Sequence, residues 1–285
     1  LEKPLSSIPD PFEKFASFSE HNNNKLVRFL ERFNFDFEFK SSTDHYKNGK
    51  FNKALEAILN NYEKILNIIL PTLGKERRET YSPFLPICKN TGKVLQVKIN
   101  EIDKIKKKIL YTDPNTNEEI ETSILDGNCK LQWKVDWAMR WLALEVDYEM
   151  NGKDLIESFQ LSSKINRVIG GRPPNNFTYE LFLDQNGEKI SKSIGNGISV
   201  EDWLTFSPRQ SLELFMFQNP NRAKRLYFDV IPKMTDDYLR LIKESESTNI
   251  KDNIESPLWF IESEGEQKIL DNITFNLILN LASVC

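Results

Sequence analysis

The stretch Gly187-Glu188-Lys189-Ile190-Ser191-Lys192-Ser193-Ile194-Gly195-Asn196-Gly197 concentrates residue types that handle phosphate. Two lysines three positions apart, two hydroxyls and three glycines describe a mobile loop able to bring ammonium groups and hydroxyl donors onto a polyphosphate. It is not a P-loop. No GxxxxGK[ST] occurs in the chain, and Gly195-Asn196-Gly197 is only a fragment of a GxGxxG pattern. On residues alone, a Lys/Ser/Gly stretch is more often a solvated surface turn than a phosphate loop, and both readings stand at this point.

The elements around this loop must position it. Leu55, Ile58, Tyr62, Ile65 and Ile69 have the three-and-four spacing of an amphipathic helix over residues 51–70, stopped by Pro71. From Tyr81 to Gly127 the pattern changes to short β-leaning runs, 94–99, 109–111 and 120–124. Turn clusters at Asp113-Pro114-Asn115 and Asp126-Gly127-Asn128 separate them, which reads as a small β-rich insertion. Val135, Ala138, Met139 and Leu142 mark a helix. A strand over 146–150, a turn at Asn151-Gly152, a helix over 154–169 and a last strand over 179–184 follow. That order fits an α/β fold with a doubly wound parallel sheet. Beyond residue 200 the chain reads as helical, with Ser207 as an N-cap and Pro208 at the first helical position. Residues 245–266 read as a polar linker. The expected domains are therefore 1–75, the remainder of a first Rossmann half; 76–130, the insertion; 131–186, a second Rossmann half; and 187–285, the loop and a helical region.

Composition bounds the partners. The chain has 285 residues, 39% hydrophobic and 28% charged, with a net charge of -4. That balance argues against a protein that coats nucleic acid non-specifically, while leaving room for a local basic patch. No run of about 18 apolar residues suggests a membrane span, so a cytoplasmic address is expected. Cys88, Cys129 and Cys285 are widely spaced with no CxxC pair, which indicates neither a disulfide framework nor a complete zinc site. His21 and His45 sit in polar contexts and are expected to be solvated and structural.

Lys189-Ile190-Ser191-Lys192-Ser193 resembles the KMSKS element of class I aminoacyl-tRNA synthetases, with Ile in place of Met. The resemblance runs through nearly the whole chain. Residues 76–84 (ERRETYSPF), 132–141 (QWKVDWAMRW), 218–220 (QNP) and 228–232 (FDVIP) are similar to class I lysyl-tRNA synthetases of bacteria and archaea. It implies an incomplete class I Rossmann-type sheet followed by an α-helical region. The implied reaction joins lysine to ATP, with Mg2+, and passes lysine from the adenylate to tRNA(Lys). Charge builds on the α-phosphate and the leaving pyrophosphate, and by similarity Lys189 and Lys192 stabilise it, with Ser191 and Ser193 also binding ATP.

Gly152-Lys153-Asp154 resembles the class I G-x-D element, in which a glycine lets backbone approach the nucleotide and the carboxylate accepts from ribose hydroxyls. The competing reading is that Asp154 caps the helix that starts there. Trp133 is a candidate wall of the lysine pocket, or a core tryptophan in series with Trp137 and Trp141, and Tyr179 is a weaker pocket candidate. Arg222, Lys224 and Arg225 either touch the tRNA acceptor stem or form a solvated helix end.

The HIGH motif of the family is expected before Leu1, and the anticodon-binding domain after Cys285. The chain therefore reads as a fragment, inactive by itself, with no structural zinc and a monomeric state favoured. The alternatives are a degenerate nucleotide- or tRNA-binding module and a class I synthetase for another amino acid.

Overall fold

A computed structural model describes residues 2–191, 194–245, 254–261 and 273–284. Lys192 and Ser193, and most of the expected linker over 245–266, lie outside the described residues. The chain divides into two compact units, Leu1–Phe177 and Thr178–Cys285.

The first unit begins with helices α1 (Phe18–Arg32) and α2 (Ser42–Lys47). The helix expected over 51–70 is two helices, α3 (Asn52–Asn60) and α4 (Tyr62–Ile69). Asn61 interrupts it: its side-chain Nδ2 donates back to the Ala57 carbonyl at 2.9 Å, offering the backbone a local alternative to the helical ladder. The apolar stripe survives the break, because Leu55, Ile58, Tyr62, Ile65 and Ile69 are all buried in one core with Phe84, Leu131, Val135, Ala138 and Ile165.

After α5 (Lys75–Thr80), β1 (Phe84–Pro86) pairs antiparallel with β5 (Cys129–Leu131). Between them, β2 (Ile99–Asp103), β3 (Lys108–Thr112) and β4 (Glu119–Ser123) form an antiparallel meander. The expected first run, 94–99, lies one strand-length early; the other two coincide with β3 and β4. Asp113 makes the β3–β4 turn, accepting from the Asn115 N–H at 2.7 Å. Cys88 and Cys129 are buried free thiols, and burial pushes the Cys129 thiol well up.

α6 (Trp133–Ala143) packs on α7 (Ile156–Val168) through small polar side chains: Ser162 Oγ donates to the Lys134 carbonyl and Asn166 Nδ2 to the Ala138 carbonyl, each at 2.9 Å. A Cβ on Gly171 would stand 2.5 Å from Asn166 Oδ1, so only glycine lets the chain leave α7 past that amide. β6 (Tyr148–Gly152) precedes α7, and β7 (Asn175–Tyr179) follows it and pairs with β6.

The expected single doubly wound sheet is not found among the described residues, whose strands form three two-stranded sheets and one three-stranded sheet. Phe35-Asp36-Phe37-Glu38-Phe39 alternates like a strand, yet it has no ladder partner there and its three rings are exposed by 54%, 36% and 41%. The expectation for His21 is also corrected. It is 5% exposed, its Nδ1 lies 3.1 Å from Asp10 Oδ2, and Phe12 stacks on its ring.

In the second unit, the last strand expected over 179–184 appears as β8 (Phe182–Leu183), parallel to β9 (Lys224–Arg225). α8 (Val200–Phe206) opens with a capping box, Ser199 and Asp202 bonding each other's backbone. Pro208, one residue later than expected for the cap, is the N-cap of α9 (Arg209–Phe217). The Ser207 hydroxyl is instead buried with those of Ser211 (2.6 Å) and Thr235 (2.5 Å). α10 (Val230–Ser245) buries Ile231, Met234, Tyr238 and Ile242. Among the described residues no helix is long and apolar enough to cross a membrane.

Candidate functional site

In the first unit, Gly152 ends β6 with φ −67° and Asp154 lies exposed in the 3-10 turn that leads into α7. The N-cap of α7 is Leu155, with no side-chain capping bond, so Asp154 does not occupy the position that the capping reading requires. The end of β6 is held firmly beneath it. Asn176 Nδ2 donates to Asn151 Oδ1 at 2.5 Å and to the Glu149 carbonyl at 3.1 Å, and Asn151 Nδ2 donates to the Gly152 carbonyl at 3.0 Å.

Trp133, Trp137 and Trp141 form a ladder along α6, with centroids 4.8 Å and 5.0 Å apart. Trp141 is 2% exposed and Trp137 9%, but Trp133, at the open end, is 50% exposed. The core reading therefore fits the inner two rings and not Trp133. Glu149, which sequence reasoning missed, accepts from both inner indoles through Oε2, at 3.1 Å from Trp137 and 2.7 Å from Trp141. Its place opposite a helical tryptophan series has no signal in strand spacing.

In the second unit, the lysine-rich loop and the basic run meet on one strand. Leu183 of β8 bridges Lys189 on one side and pairs with Arg225 on the other. At the turn between them, Gly187 adopts φ +86°, and a Cβ there would lie 3.6 Å from Arg225 Nη2. Lys189 is exposed and Ser191 half-buried. Tyr179, 38% exposed, ends β7.

The three basic candidates differ in kind. Arg222 and Arg225 are exposed and, with Lys233, line a cavity of about 400 Å³. Lys224 Nζ is turned inward, donating to the carbonyls of Phe215, Met216 (3.1 Å) and Gln218 (2.8 Å) and standing 4.7 Å from the Phe215 ring centroid. It closes the C-terminal end of α9, where unpaired carbonyls and the helix dipole favour a cation, while burial brings its pKa down to about 8. Asp184 and Asn196, also missed in the sequence, bracket the lysine loop; the signal available was a polar residue on each side of a glycine-rich stretch.

The sequence matches the family tRNA synthetases class I (K) over residues 1–264. A lysine--tRNA ligase of Rickettsia bellii (strain OSU 85-389) is 50% identical over 288 residues, covering 100% of this chain and 55% of that protein. One of Rickettsia felis is 49% identical, covering 100% and 54%. The chain thus spans about half the length of the curated relatives it matches. A solved glutamate tRNA ligase from Elizabethkingia meningosepticum, in complex with its amino acid, aligns at 11% identity and TM-score 0.32 over 84% of this chain and 58% of that one, too low to carry an argument. Together, the family match and these identities place the chain among the tRNA synthetases of class I, in the family designated (K).

Proposed function

We propose that this chain is the ATP-handling half of a lysine--tRNA ligase, activating lysine with ATP and transferring it to tRNA(Lys) in the cytoplasm. The observation that carries this reading is the identity of about 50% to proteins of that name along the entire chain. The lysine loop at the end of β8 supports it. Lys189 and Lys192 bind the developing charge on the α-phosphate and pyrophosphate more tightly than they bind ATP, which is the condition for lowering the barrier. Ser191 and Ser193 add donors to the phosphates.

Asp154 accepts from the ribose hydroxyls, beside the backbone of Gly152. Exposed Trp133 packs the aliphatic stem or faces the ammonium of lysine, with Tyr179 as a further wall. Arg222 and Arg225 contact tRNA phosphates; Lys224 supports them from within. Magnesium enters with the nucleotide substrate, since it commonly binds through substrate phosphates. β6, α7 and β7 belong to the second Rossmann half. The domain limits remain those read from the sequence, with 76–130 as the insertion.

The test is lysine-dependent ATP–pyrophosphate exchange by a chain extended to the length of the relatives. Lys192→Ala lowers the exchange rate about 100- to 1,000-fold and leaves lysine binding nearly unchanged; equal rates in variant and wild type contradict the assignment.

A further inference from the structure

The loop that carries Lys189 is tied at its base by two side chains with no assigned part in the chemistry. Asp184 is 6% exposed, and its Oδ1 accepts from the backbone N–H groups of Asn186 and Glu188, both at 2.9 Å. Its Oδ2 accepts from Asn196 Nδ2 at 2.9 Å. Asn196 faces back into the loop as well: its Oδ1 accepts from the Ser191 N–H at 3.0 Å, and its Nδ2 approaches the Lys189 carbonyl at 3.3 Å.

Backbone bonds reinforce the same base. Asp184 N–H donates to the Glu188 carbonyl (2.8 Å), Ile190 N–H to Phe182 (3.1 Å) and Gly195 N–H to Ser191 (3.0 Å). A Cβ on Gly197 would stand 2.7 Å from Ile190 Cγ2, so the returning chain passes against the loop where only glycine fits. A buried carboxylate is costly unless several donors replace water. Here the Asn196 amide and the backbone N–H groups do so, and they hold the Asp184 carboxyl below its usual range.

We propose that Asp184 and Asn196 are positioning residues that fix the backbone of Lys189 and Ser191 against β8, so that these two residues meet the nucleotide phosphates from a fixed base. This rests on the reading of the loop as a phosphate-handling element. Misplacing a reacting partner by about 1 Å costs on the order of 100-fold in rate, which sets the scale for losing the clamp.

The experiment compares Asn196→Ala, Asn196→Asp and Lys189→Ala in the extended chain, by lysine-dependent ATP–pyrophosphate exchange across pH. Asn196→Ala is expected to lower kcat about 10- to 100-fold while the KM for lysine stays within about twofold of wild type. Asn196→Asp sets two carboxylates against each other, so one of them holds a proton more readily. Its activity relative to wild type should recover between about pH 8 and about pH 6, and that of Asn196→Ala should not. Exchange lost in Lys189→Ala but retained in Asn196→Ala overturns the clamp alone. Exchange retained in Lys189→Ala overturns the loop reading beneath it. A loss in both Asn196 variants without recovery at low pH reduces the pair to a structural role and overturns the proposal.

Discussion

Two stretches of the second unit carry lysines on either side of the same strand, and the structure uses them in opposite ways. Lys189 sits in a loop whose base is fixed by side chains bonding to backbone, and its own side chain is exposed. Lys224 sits across β8 with its ammonium among carbonyls of α9. A basic residue beside this loop is thus no guide to its task. The carbonyls at the end of α9 take up the Lys224 ammonium, whereas around Lys189 the side-chain bonds are made to backbone groups of the loop and the residue is exposed.

The largest effect that would sharpen this contrast is the loss of rate in Lys189→Ala, about 100- to 1,000-fold in exchange, with an unchanged melting temperature. Lys224→Met is expected to do the reverse. It leaves carbonyls at the end of α9 without their donor and costs about 1–3 kcal/mol of stability, read by thermal unfolding. A rate loss in Lys224→Met without loss of stability would break the comparison.

Burial brings the Lys224 ammonium down to about 8 in the folded unit, against about 10.4 for a lysine in the unfolded chain. Between those values the unfolded state binds more protons, so stability rises with pH through that window. NMR titration of the Lys224 side chain checks the midpoint; a value near 10 would contradict the burial argument.

The smallest effect belongs to the exposed arginines. Arg222→Ala or Arg225→Ala raises the KM for tRNA several-fold at most and lowers the salt slope of binding by about one. Lysine-dependent ATP–pyrophosphate exchange measured at saturating tRNA should stay the same in both variants.

Much of the scaffold was legible because it follows from period. The stripe Val135, Ala138, Met139 gave α6, and the turn residues at Asp113 and Gly127 fall after β3 and after β4 as expected. The break at Asn61 was not legible, because a side-chain bond to Ala57 outweighs an unbroken apolar pattern. The lysine loop stood out by composition, but its clamp did not: Asp184 and Asn196 are joined across twelve residues by a bond that no periodicity encodes. Lys224 looked like its basic neighbours, since only the fold of α9 brings carbonyls to its ammonium. Segment 35–39 alternates like a strand, yet pairing depends on a neighbour that the pattern itself does not supply.

The most direct test of the central claim is lysine-dependent ATP–pyrophosphate exchange by this 285-residue chain and by a version extended upstream. The account predicts exchange in the extended protein, dependent on lysine and absent without it. No exchange in the extended protein, with ATP or tRNA still bound, would contradict it and leave a nucleotide- or tRNA-binding module in its place.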